Sequence, residues 1–78
     1  MYKVSDILPF FLFNLKDYYS QNEIKSFAYI SIDHHLKMNK SQTILYSEKT
    51  LEDKIIDKIE SIIYFLKEYK PIQYILKS

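Results

Sequence analysis

The chain has 78 residues, 47% of them hydrophobic and 17% aromatic, and its eleven lysines against ten acids leave a net charge of +1. That length is one domain at most, burying about 60% of the unfolded chain's surface, and the composition is too apolar for a disordered segment. The charge supplies no field for nucleic acid or anionic lipid. Without cysteine or glycine, disulfides, thiolate nucleophiles, Cys-bound zinc, Gly-rich phosphate loops and dinucleotide fingerprints are excluded.

The apolar run Ile7 to Phe13 is far too short to span a membrane. It is bracketed by Asp6 and Asn14 with no small-residue cleavage site after it, which favours a core helix over a targeting segment. Val4, Ile7, Leu8, Phe11, Leu15 and Tyr18 fall at helical spacing and define the first helix. Ser5 and Asp6 suit its cap and first turn, and Pro9 is close enough to the start to be tolerated. Ser20 and Glu23 then have the spacing of a capping box, with Asn22 as a rival cap. Ile24, Phe27, Ala28, Ile32, His35 and Leu36 share a face of the second helix, which runs to about Leu36 and returns antiparallel to the first.

Asn39 caps a short third helix through about Tyr46 that carries Ile44 and Leu45 and is too short to be stable alone. Thr50 opens the longest element, with Asp53 completing a variant capping box. Leu51, Ile55, Ile59, Ile62, Leu66 and Tyr69 form its stripe, widened by Ile56 and Ile63. Pro71 ends that helix and suits the first position of a fifth, Pro71 to about Leu76. No segment alternates with period two. The expected fold is therefore an all-α monomeric bundle of about five helices, four plus a short connector helix after Pro71, with Leu15, Ile32, Ile59, Ile62 and Leu66 in its core.

Few residues carry chemistry. His34 and His35 are the only histidines, and adjacent helical residues diverge by about 100°, a poor arrangement for chelating one metal. Structural histidines and a solvated Asp33 are the simpler reading. Nothing places a nucleophile on a strained turn with a base in reach, so no catalytic, cofactor-binding or metal-binding residue is assigned. Phe13, Ile30 and Tyr64 project opposite their helices' stripes, with Phe10 and Phe65 at the flanks. If such residues gather, they mark a partner surface, and Phe13, Tyr64, Phe10 and Ile30 are the candidates.

The string "EYKPIQYIL", Glu68 to Leu76, resembles the segment that joins the N-terminal helical domain to the catalytic domain in release-factor glutamine methyltransferases of the HemK/PrmC family. The resemblance continues through the opening amphipathic helix, the acid–His pair Asp33-His34, the Asn-capped "NKSQTILY" and the long helix before Pro71. Lys37 and Lys77 depart from the family, which usually has glycine at both places. The resemblance implies a recognition domain at residues 1–70 and, at 71–78, the start of a connector (Pro71, Tyr74, Ile75, Leu76) into a methyltransferase domain, with Ser78 a cut rather than a natural end. The parent enzyme would use S-adenosylmethionine to methylate the Gly-Gly-Gln glutamine of a class I peptide-chain release factor in the cytoplasm. This chain would bind no cofactor, catalyse nothing alone, and touch neither nucleic acid nor membrane. Its partners would be the release factor and its own downstream catalytic domain.

Two other readings stand beside this one. The exposed aromatics also fit an autonomous helical protein-interaction module, which a stop codon after Ser78 would favour over an in-frame Gly-rich loop. The short third helix could imitate the recognition helix of a DNA binder, but arginine, the commonest reader of guanine, is absent from the chain.

Overall fold

The computed structural model of the chain describes residues 2–77, so that Ser78, the expected cut, lies outside the described residues. A 3-10 turn, Val4–Asp6, leads directly into α1, Ile7–Leu15. It is followed by α2, Gln21–Leu36, α3, Lys40–Leu45, α4, Asp53–Lys67, and α5, Ile72–Lys77. The protein is all-α. Among the described residues its only extended pairing is an isolated antiparallel bridge between Lys3 and Thr50, and no helix is long and apolar enough to cross a membrane.

Except in α3, which buries no side chain, the helices bury most of the stripe that their spacing predicts. Val4, Ile7, Phe11 and Leu15 are buried along the first segment, Ile24, Ala28 and Ile32 along α2, and Ile59, Ile62, Ile63 and Leu66 along α4. Pro9 lies in the first turn of α1, where backbone N–H groups lack intrahelical partners. Asp6 does not cap α1 with its side chain; its carboxylate accepts the Lys3 N–H at 2.8 Å and closes the 3-10 turn. Tyr18, expected at the end of the first stripe, lies beyond the helix and is exposed.

The caps of α2 and α3 are side-chain devices. The Glu23 N–H donates to Ser20 Oγ at 3.3 Å, and the Ser20 N–H returns a bond to Glu23 Oε1 at 3.2 Å, with Asn22 inside the helix. Asn39 makes the same exchange with Gln42, at 2.9 Å in both directions. These satisfy donors that a helix start otherwise leaves open. Ser31, which the apolar stripe omitted, is buried beside Ala28, and its hydroxyl donates to the Phe27 carbonyl at 2.8 Å.

α4 starts two residues later than its sequence suggests, with its N-cap at Glu52 in place of Thr50. Thr50 is bridged to Lys3, and the Leu51 N–H donates to the Tyr2 carbonyl at 2.9 Å. Backbone held in that extended pairing cannot begin a helix, so Glu52 becomes the N-cap without a side-chain cap bond. Leu51 is buried from outside the helix. With 15 residues α4 is one shorter than α2, which has 16.

The far end of α4 also stops early. The Lys70 N–H donates to the Phe65 carbonyl and the Tyr69 N–H to the Leu66 carbonyl, the paired bonds of a Schellman motif. Tyr69 therefore occupies the left-handed position, φ 62°, and is exposed instead of extending the stripe. Its ring lies 5.5 Å from that of Tyr19 and 6.1 Å from that of Tyr18, contacts that offset the backbone strain. Pro71 follows, and α5 turns back on α4 and α2 with Ile72 and Ile75 buried and Leu76 half-buried, as expected.

Lys37 takes the same left-handed conformation at the end of α2, φ 58° and ψ 39°. The position favours glycine because a Cβ there costs about 1–2 kcal/mol, while glycine adds about 0.4–1 kcal/mol of unfolded-state freedom. Lys37→Gly should therefore raise stability by up to about 1.5 kcal/mol in a urea titration. A loss of stability would show that the lysine side chain makes a compensating contact.

Candidate protein-docking surface

α1 and α4 pack side by side and point the same way. At one end the Tyr2 carbonyl meets the Leu51 N–H; at the other the Tyr19 hydroxyl donates to the Leu66 carbonyl at 2.7 Å, and Lys67 Nζ lies 5.7 Å over the Tyr18 ring. Burial first, then Tyr69 and Glu23, push the Tyr19 phenol above its usual pKa. It stays protonated and keeps donating.

The outer faces of this pair carry three of the four residues singled out from sequence. Phe13 on α1 is 73% exposed and Tyr64 on α4 is 60% exposed. Lys16 Nζ stands 5.4 Å over the Phe13 ring, and the Tyr64 ring meets Phe65 edge-on at 5.5 Å. Phe65 itself is half-buried and covered by Lys70, so it belongs to the α4–α5 turn. Phe10, one turn before Phe13, rims a hollow that opens between α1 and the first half of α4. Ile30, on α2, is exposed but does not line that hollow.

The hollow has a volume of about 160 Å³. Ile7 and Ile59 are part of its floor, Tyr2 and Phe10 stand at its walls, and Asp6 and Glu60 bring two carboxylates to it. Sequence reasoning missed this group, because the residues lie 54 positions apart and only the pairing of α1 with α4 joins them. A second hollow, of about 270 Å³, lies where the end of α2 meets the start of α4, lined in part by His35, Lys49 and Lys54. There burial, with the positive charges of His34, Lys58 and Lys37, holds the His35 imidazole below its usual pKa. The His34 and His35 rings stand perpendicular at 4.8 Å. Among the described residues no group of three acids or histidines is placed to hold a metal ion.

α3 shows a second apolar surface that the sequence did not announce. Ile44 and Leu45 are exposed, Leu45 at 73%, and Tyr46 beside them is exposed too. The helix is held through its Asn39 cap, the buried Met38 before it, and the bonds from Ser5 N–H to Ser47 O and Val4 N–H to Lys49 O after it. Two adjacent apolar residues with no partner a turn away were the available signal.

The family model of the PrmC N-terminal domain matches residues 11–76. The chain belongs to that family. No curated protein and no solved structure matches it. The PrmC N-terminal match takes in most of α1, all of α2, α3 and α4, and α5 as far as Leu76, so the Lys70-Pro71 joint lies inside the matched region.

Proposed function

We propose that this chain is the release-factor-docking domain of a protein glutamine methyltransferase that uses S-adenosylmethionine. In this reading methyl transfer belongs to a catalytic domain reached through α5. The observation that carries it is membership of the PrmC N-terminal domain family. The exposed Phe13 and Tyr64 support it, since large aromatic anchors dominate protein interfaces and a net charge of +1 is too small to substitute for them.

The residues present do not fit the cofactor. There is no glycine for a nucleotide-binding loop. The hollows of about 160 and 270 Å³ also fall below the about 300–1,000 Å³ usual for pockets that enclose a molecule of that class. What the chain supplies is position. A weak contact between bundle and release factor, on the same polypeptide as the active site, raises the local concentration of the target glutamine there.

Deleting residues 1–70 from the parent enzyme should raise the apparent KM for intact release factor and leave S-adenosylmethionine affinity unchanged. Equal methylation efficiency with and without the bundle would remove the docking role.

A further inference from the structure

The hollow between α1 and α4 combines three features that docking through Phe13 and Tyr64 does not use. At about 160 Å³ it is too small for a drug-sized molecule and suits one long side chain. Its walls are aromatic and its floor aliphatic. Among the described residues its two carboxylates have no charged partner: Asp6 takes the Lys3 backbone N–H through one oxygen, and Glu60 makes no hydrogen bond or ion pair.

We propose that this hollow takes an arginine side chain of a partner protein. A guanidinium is planar, stacks on aromatic faces and forks two N–H groups onto a carboxylate, so Tyr2, Phe10, Asp6 and Glu60 each have a matching surface. Its methylene stem covers the floor made by Ile7 and Ile59. A lysine would meet the carboxylates and the rings as a point charge, without the planar stacking and the two-pronged fork, and an anion would meet two like charges. These 78 residues contain no arginine, so the occupant is not a second copy of them. The inference rests on the docking reading only for the partner's identity, and adds a charged anchor one turn from Phe13.

The test is an amide-resolved NMR titration of the 78-residue chain with a capped Gly-Arg-Gly peptide and with its citrulline counterpart, which has the same shape and no charge. The arginine peptide should give saturable shifts centred on Ile7, Phe10, Ile56 and Ile59, with a Kd of about 1 mM. Citrulline in the peptide, or Glu60→Gln in the exposed wall of the protein, should weaken binding by about fivefold or more. Equal binding of the citrulline peptide, shifts centred elsewhere, or no saturable shift would overturn the proposal. Phe13→Ala with Tyr64→Ala should leave arginine binding intact. Arginine binding by a chain that does not engage release factor would therefore refute the docking reading alone, and release-factor binding without arginine binding would refute the pocket alone.

Discussion

Phe11→Ala should lower the unfolding free energy by about 3–5 kcal/mol, the range for removing an aromatic ring from a packed core. Phe11 is 0% exposed and lies at the middle of the line Val4, Ile7, Phe11, Leu15 that α1 presses into the bundle. At about 0.05–0.15 kcal/mol per residue, a chain of 78 residues has about 4–12 kcal/mol in total. The variant should then sit near the edge of folding at 25 °C. Urea titration followed by helical circular dichroism measures it, and a loss below about 1 kcal/mol would mean that the ring's cavity is refilled by its neighbours. Phe13→Ala, on the opposite side of the same helix, should stay within about 0.5 kcal/mol of the parent, as exposed substitutions do.

Leu66→Ala should cost about 2–5 kcal/mol, whereas Tyr64→Ala, two residues earlier, should cost about 0.5 kcal/mol or less. Leu66 is fully buried at the end of α4 where α5 turns back, while Tyr64 faces outward. The alanine keeps the Leu66 carbonyl that receives the Tyr19 hydroxyl, so the loss measures the side chain and not that hydrogen bond. For a domain of this size, about 4–8 °C of Tm accompanies each kcal/mol, and the two thermal melts should separate by at least about 6 °C. Similar melts would place the two residues in similar surroundings and contradict the orientation of α4. The Tyr64 variant is correspondingly the cleaner probe of docking, because it alters the surface without loosening the core.

Helices, stripes and two of the caps were legible in the sequence because each depends on residues three or four positions apart. Ser20 with Glu23 and Asn39 with Gln42 are local exchanges, and the five buried residues expected from the stripes are all in the core. The start of α4 was not legible, since Thr50 is withdrawn from the helix by Lys3, 47 positions away. Tyr69 looked like one more stripe position until the turn into Pro71 required a left-handed residue there. At the surface, the outward projection of Phe13 and Tyr64 follows from helical spacing alone. The hollow does not, because Asp6 reads as a turn residue and Glu60 as a solvated acid until α1 and α4 lie against each other.

The clasp between the first residues and the segment before α4 has a consequence for how the protein is made. The Val4 N–H finds its acceptor on Lys49 and the Ser5 N–H on Ser47, so this segment reaches its place only after α2 and α3 have been made. Val4 waits through the synthesis of 45 more residues, about 2–9 s at roughly 5–20 residues per second. During that interval the apolar run from Ile7 to Phe13 has only α2 to shelter against. The nascent chain is thus most open to chaperones and proteases before α4 emerges, and a translational pause placed ahead of Leu51 would prolong that exposure.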